Sequence, residues 1–357
     1  MPWEIYRERE RVAAAFLVTF AIVLVAAVVA PAEAYADGGT YSYVYRWWDS
    51  TSGTVKQGSS SAYCEDIDEG DNTTISGGWY YTCGDDDDMD VVRVAANSTV
   101  NIIVRDGTEQ KIDGIYVPSS STLNIYSEPG GSGWLKCVAD HASYAGIGGL
   151  DGDDPEDGTA DCGTINIHGG NIYAKGDDHS SQDIEGGAGI GGGYKGSGGT
   201  IRIYGGSVEA QGNSDAAGVG GGNSGGTITI SNANITAQGG SDGAGIGGGS
   251  GSKGDGKDQT VNCGISGAIT INSGIVTAIG GAGGGSGIGS GAGCGDPAFN
   301  TVDVTVNGGT VTATAGDMGN EAGAGKYDSG VAIGAGGQYL KSELNNIEID
   351  DDFAERK

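Results

Sequence analysis

The sequence predicts an all-β fold, a right-handed parallel β-helix with three short strands per coil, from three observations. A glycine-rich phrase returns six times, an alternating strand precedes each copy, and the spacing between copies varies while the phrase does not. The phrase reads YAGIGGL (144–150), GAGIGGG (187–193), AGVGGG (217–222), GAGIGGG (243–249), GSGIGSG (285–291) and VAIGAGG (331–337). Its central apolar residue is Ile147, Ile190, Val219, Ile246, Ile288 and Ile333 in turn. Ahead of these stand first strands starting at Thr122, Thr164, Thr200, Thr227, Ala268 and Asp303, which are 42, 36, 27, 41 and 35 residues apart. A second alternating strand follows in most copies, as in NIYA (171–174), SVEA (207–210), NITA (234–237), IVTA (275–278) and TVTA (310–313).

Alternation places apolar side chains on one face. Leu123/Ile125, Ile165/Ile167, Ile201/Ile203, Ile228/Ile230, Ile269/Ile271 and Val304/Val306 form two inward columns, and Leu135, Ile172, Val208, Ile235, Val276 and Val311 form a third. One unit of this size buries too little apolar surface to fold alone, so stacked copies must share a core. The glycines provide corners with positive φ and close backbone approach. Gly191, Gly220 and Gly247 stand where a calcium-binding nonapeptide carries Asp, so the phrase is not a calcium roll. No strand–turn–helix context surrounds it, which excludes a phosphate cradle.

The chain divides into four parts. Residues 1–36 read as a secretory signal: a charged start with three Arg, an apolar run Val12–Ala30, and small-residue cleavage options at Ala32–Ala34 and Ala34–Ala36. The run is also long enough to serve as an uncleaved anchor. Residues 37–121 read as less regular coils that cap the solenoid, 122–340 as the regular helix, and 341–357 as a tail or last strand. The expected location is extracellular, secreted or held at the cell surface. In that compartment six cysteines predict up to three disulfides, with neighbour pairing Cys64–Cys83, Cys137–Cys162 and Cys263–Cys294 as the expectation.

The formal net charge is −29. Such a surface repels nucleic acid and anionic lipid, and excludes both as partners beyond the N-terminal segment. Acidic loops offer several carboxylates close together, and hard cations take six to eight oxygens. Asp151, Asp153, Asp154 and Asp157 in one loop, with Asp177, Asp178 and Asp183 in another, are the candidate calcium ligands. The closing Glu of an EF-hand is missing, and a solvated acidic patch is the plainer reading.

The pairing of xITIxGGxVxAxGG with GAGIGGG resembles the carbohydrate-binding β-helix domains of Gram-positive surface and secreted proteins, over about 123–337. The resemblance implies a fold like that of polysaccharide lyases, carbohydrate binding and calcium; it does not imply which sugar. Sugars stack on aromatic faces and take hydrogen bonds from polar side chains. Tyr126, His168 and Tyr204 end successive first strands, Arg202 lies beside them, and Trp134 and Tyr173 belong to second strands. These six form the expected glycan platform, and non-catalytic polysaccharide binding is the expected function. A structural or adhesive rod is the alternative. A polysaccharide lyase is the third reading, with Arg202, His168 and the loop 177–185 as its only cluster; no catalytic residue is assigned.

Overall fold

The computed structural model describes residues 38–67, 73–84, 89–141, 143–152, 159–177, 186–250, 264–292, 302–316 and 330–337. Gly38 and Gly39 apart, these belong to one compact unit, Thr40–Lys357. All regular structure in them is β, arranged in three sheets of ten, seven and nine strands. Each coil contributes one strand to each sheet in turn, so the chain is a parallel β-helix. The segment expected to be a signal and the residues after Gly337 lie outside the described residues.

The first sheet contains the T-I-x-I strands, stacked parallel and in register. Ile165 pairs with Leu123 and Ile201, Ile201 with Ile228, Ile228 with Ile269, and Ile269 with Val304. These residues recur at one place in the phrase, and the loop lengths between them do not disturb the column. The second sheet stacks Leu135, Ile172, Val208, Ile235, Val276 and Val311 in the same way. The third sheet has two-residue strands, each an Ile or Val followed by Gly, from Ile147–Gly148 to Ile333–Gly334. Columns of Ile and Val from all three sheets meet in one continuous core. Each fully buried Ile contributes about 1.5–3 kcal/mol relative to exposure.

The third sheet is held close to its neighbours because it carries almost no side chains. At Gly220 φ is +144°, and an added Cβ would stand 1.8 Å from the carbonyl oxygen of Gly247 on the next coil. Gly247 stands in the same relation to Gly289. Only glycine combines that φ with that approach.

The N-terminal end departs from the repeat. Strands β1 (Gly38–Asp49) and β2 (Thr54–Asp66) are neighbours in the first sheet. The end of β2 begins the parallel stack, pairing Glu65 with Tyr80 and Asp66 with Tyr81. β1 also meets the Thr122–Ser127 strand antiparallel, Val44 opposite Ser127. It therefore lies across several coils along the end of the first sheet.

Candidate functional site

Two polar columns run down the outer face of the first sheet. One is an amide ladder. The Asn101 Nδ2 donates to the Gly78 carbonyl at 3.0 Å, Asn124 Nδ2 to Asn101 Oδ1 at 2.8 Å, and Asn166 Nδ2 to Asn124 Oδ1 at 2.8 Å. Arg202 extends it, its Nη1 lying 3.5 Å from Asn166 Oδ1. A second run of amide bonds lies in the neighbouring column at the strand ends, beyond Tyr204, where Asn307 Nδ2 donates to Asn272 Oδ1 at 2.8 Å and Asn272 Nδ2 to Ser231 Oγ at 3.1 Å. In-register parallel stacking brings like side chains together at each step, and an amide both donates and accepts, so it satisfies itself along the axis.

The other column is aromatic. The rings of Tyr126 and His168 stack at 4.6 Å and 4°, and those of His168 and Tyr204 at 5.5 Å and 28°. The sequence placed these three on consecutive coils, and the structure brings them together. Tyr126 is buried, and His168 and Tyr204 are half-buried. Tyr43 of β1 packs on Tyr126 at 4.9 Å and on Trp79 at 4.5 Å, and Trp79 stacks on Tyr126 at 5.3 Å. Tyr126 is only 9% exposed, so the expectation that it forms open platform surface is corrected: β1 covers it. Burial pushes its hydroxyl pKa up to about 12, with Tyr43 adding to the shift.

Arg46 of β1 secures this cover. His168 Nδ1 lies 2.7 Å from the Arg46 carbonyl oxygen and 3.2 Å from its amide nitrogen, and Arg46 Nη1 donates to the His168 carbonyl. The arginine stem runs against the corner glycines; a Cβ on Gly205 would stand 2.9 Å from Arg46 Cδ. Burial holds the His168 pKa below its usual value, and the Arg46 charge acts in the same direction against an opposing hydrogen bond from the Arg46 backbone. Burial also lowers the Arg46 pKa.

Trp134 and Tyr173 occupy the outer face of the second sheet. Trp134 pairs with Asn171, and Lys136 with Tyr173, in adjacent outward columns. Trp134 is 37% exposed. Lys136 Nζ sits 5.7 Å from the Trp134 ring centroid and 2.8 Å from Glu109 Oε1. The Tyr173 hydroxyl donates to Gln211 Oε1 at 3.5 Å. The six expected platform residues thus form two groups, one on each side of the corner between the first and second sheets.

Of the candidate calcium ligands, Asp153, Asp154, Asp157, Asp178 and Asp183 lie outside the described residues. Asp151 is half-buried and Asp177 buried. Among the described residues no three His, Cys, Asp or Glu side chains converge as a metal site, and these two carboxylates alone do not fit one.

The cysteine pairing is corrected as well. Cys64, Cys137 and Cys162 are buried thiols, and Cys83 Sγ lies 3.7 Å from Gln110 Oε1, so neither Cys64–Cys83 nor Cys137–Cys162 is joined. Cys137 pairs with Ala174 and occupies the inward place that Ala174 and Ala210 hold on later coils. There it packs as a small apolar residue. Burial raises the Cys64 thiol pKa to about 11 and holds those of Cys137 and Cys162 well above the usual range. Cys263 and Cys294 lie outside the described residues.

The platform reading omitted Tyr45, Trp47 and Tyr63, which are 36%, 43% and 66% exposed on β1 and β2. It omitted Arg46 too. The alternating aromatics of YSYVYRWW (41–48) were the available signal.

A family model described as a beta helix repeat matches residues 165–194, 201–223 and 228–250. These segments are three consecutive coils of the solenoid. No curated protein and no solved structure matches the chain.

Proposed function

We propose that this chain is a secreted or surface-held protein that binds polysaccharide without cleaving it. The observation that carries the reading is the strip on the second sheet, where exposed Trp134 and half-buried Tyr173 stand among the outward side chains of Lys136, Asn171 and Gln211. Aromatic faces beside hydrogen-bonding side chains match the two sides of a sugar ring. The resemblance of the repeat to carbohydrate-binding β-helices supports the same reading, and the N-terminal segment supports export. Arg202 and His168, which the lyase reading joins with the loop 177–185, are engaged in the amide ladder and the aromatic stack, which favours binding over catalysis. Calcium, supplied through the acidic loops 151–157 and 177–185, is proposed to strengthen binding or fold.

The test is retention on a panel of neutral and acidic insoluble glycans, with and without chelator, alongside a reducing-end assay. Wild type is expected to be retained on at least one glycan and to release no new reducing ends. Trp134→Ala with Tyr173→Ala is expected to abolish retention and leave Tm nearly unchanged. Retention that survives the double substitution refutes this placement. Retention on no glycan at any calcium level leaves the adhesive rod.

A further inference from the structure

The inward columns of the first sheet lose cover at one end. Ile228, Ile230, Ile269 and Ile271 are buried, yet Val304 and Val306, the next members of the same two columns, are only half-buried. Asp303–Val306 is the last strand of that sheet among the described residues. A strand in such a place presents a row of N–H and C=O groups that templates a further strand. The bonds of earlier coils say how that strand would dock. His168 N donates to Ile125 O, Tyr204 N to Ile167 O, Ser231 N to Ile203 O, Asn272 N to Ile230 O and Asn307 N to Ile271 O, each at 2.8 Å. One further step calls for an N–H to the Val306 carbonyl. It also calls for two apolar side chains, two residues apart, over Val304 and Val306.

The sequence beyond Gly337 holds a segment of that form. Asn346, Ile347, Glu348 and Ile349 repeat the pattern of Thr200–Ile203 and Asp303–Val306, in which apolar residues hold the second and fourth places. Asn346 follows Asp303 by 43 residues, where earlier first strands are 27 to 42 apart. It follows Gly334 by 12, where the same step takes 7 to 21 residues in earlier coils. The next places of the phrase are broken. Gly206 and Gly309, at φ +88° and +98°, turn the corner three residues after Ile203 and Val306, and Asp352 holds that place after Ile349. Ala210 and Ala313 point inward seven residues after Ile203 and Val306, and Arg356 holds that place after Ile349. An arginine does not fit a core place built for alanine.

We infer that residues 346–349 close the first sheet as a parallel strand on Asp303–Val306, with Ile347 over Val304 and Ile349 over Val306. The segment supplies a first strand without the corner and second strand that would extend the coil, so it acts as a cap. Asp350, Asp351 and Asp352 follow it directly and set charge beside the new edge, which opposes pairing with another chain. The occupant is this chain's own segment. A short connection holds it at high effective concentration, whereas a second copy carries the same formal charge of −29 and is repelled. The inference is independent of the glycan reading.

The experiment is cysteine cross-linking in the full chain. Thr305→Cys with Glu348→Cys places thiols on an outward pair in this register, about 4.8 Å apart along the stack, within the reach of a disulfide. Thr305→Cys with Asp352→Cys is the register control. Oxidation of dilute protein followed by peptide mapping is expected to give the 305–348 link within one chain, in at least tenfold excess over the control and independent of protein concentration. Amide exchange over 346–350 is expected to be at least tenfold slower in wild type than in Ile347→Asp with Ile349→Asp. That variant is expected to exchange faster over 303–307 and unchanged over Thr227–Ile230, which shows that the rest of the solenoid remains folded. Three results overturn the inference: a 305–348 link found only between chains, which assigns this end to a second copy; equal linking in the register control; or exchange over 346–350 indifferent to the double substitution.

Discussion

Replacing Gly220 by Ala tests whether the glycine column, rather than composition alone, holds the third sheet together. Gly220 has φ +144°, and the new methyl would stand 1.8 Å from the Gly247 oxygen, 2.8 Å from the Gly247 carbonyl carbon and 3.2 Å from its Cα. These are backbone atoms of the next coil and cannot rotate away. Backbone strain of this kind costs about 1–3 kcal/mol. Relief requires the coils to part, which loosens the bonds from Gly192 N to Gly220 O (2.8 Å) and from Gly221 N to Gly247 O (3.1 Å), at about 0.5–1.5 kcal/mol each. The expected loss is therefore about 2–6 kcal/mol. Gly53→Ala is the control: φ there is +63° with nothing within 4 Å of the added Cβ, so strain alone, about 1–2 kcal/mol, applies. Urea denaturation of both variants, with amide exchange read at Ile190–Gly191 and Ile246–Gly247, separates the two terms. A Gly220→Ala protein as stable as Gly53→Ala, with exchange at those coils unchanged, refutes the reasoning.

Two further outcomes follow from the core and the aromatic stack. Ile228 is fully buried between Ile201 and Ile269, so Ile228→Asp is expected to cost about 3–5 kcal/mol and to strip exchange protection from the Thr200–Ile203 and Ala268–Ile271 strands; normal protection there would contradict the shared core. For His168 the folded pKa lies below the unfolded value of 6.5, so its neutral form supports the fold fully above pH 6.5 and that support is lost as pH falls through the lowered value. Wild type is expected to lose more Tm between pH 7 and pH 5 than His168→Phe, which keeps a ring in the stack; identical pH profiles would show that His168 does not titrate against the β1 contact.

The repeat was legible in the sequence because a period of two leaves little choice of face. Once Ile201, Ile228 and Ile269 are aligned by phrase, parallel stacking follows, and with it the neighbour relations of Tyr126, His168 and Tyr204. Exposure was not legible. Whether an outward ring meets water depends on what else docks there, and the aromatic alternation of 41–48 announces a strand without saying where it lies. The cysteines show the same limit. Their number and the expected export suggest bridges, but spacing does not reveal that Cys137 takes an alanine's inward place opposite Ala174.

The corner between the first and second sheets has a consequence for access. From the second regular coil onward the chain rounds it in two or three residues, as between Ile203 and Ser207 or Ile230 and Ala233, whereas the other two corners hold the long, unequal loops. Insertions have accumulated on two rims and left the third short, with Arg46 of β1 laid over it at Gly169 and Gly205. Both groups of aromatic residues flank that short rim, one on each side. Among the described residues, a long polymer laid along the axis there would meet no long loop on the coils beyond the Arg46 cover. The uneven loop lengths thereby leave the solenoid one edge of near-constant short corners, repeated coil after coil beyond β1.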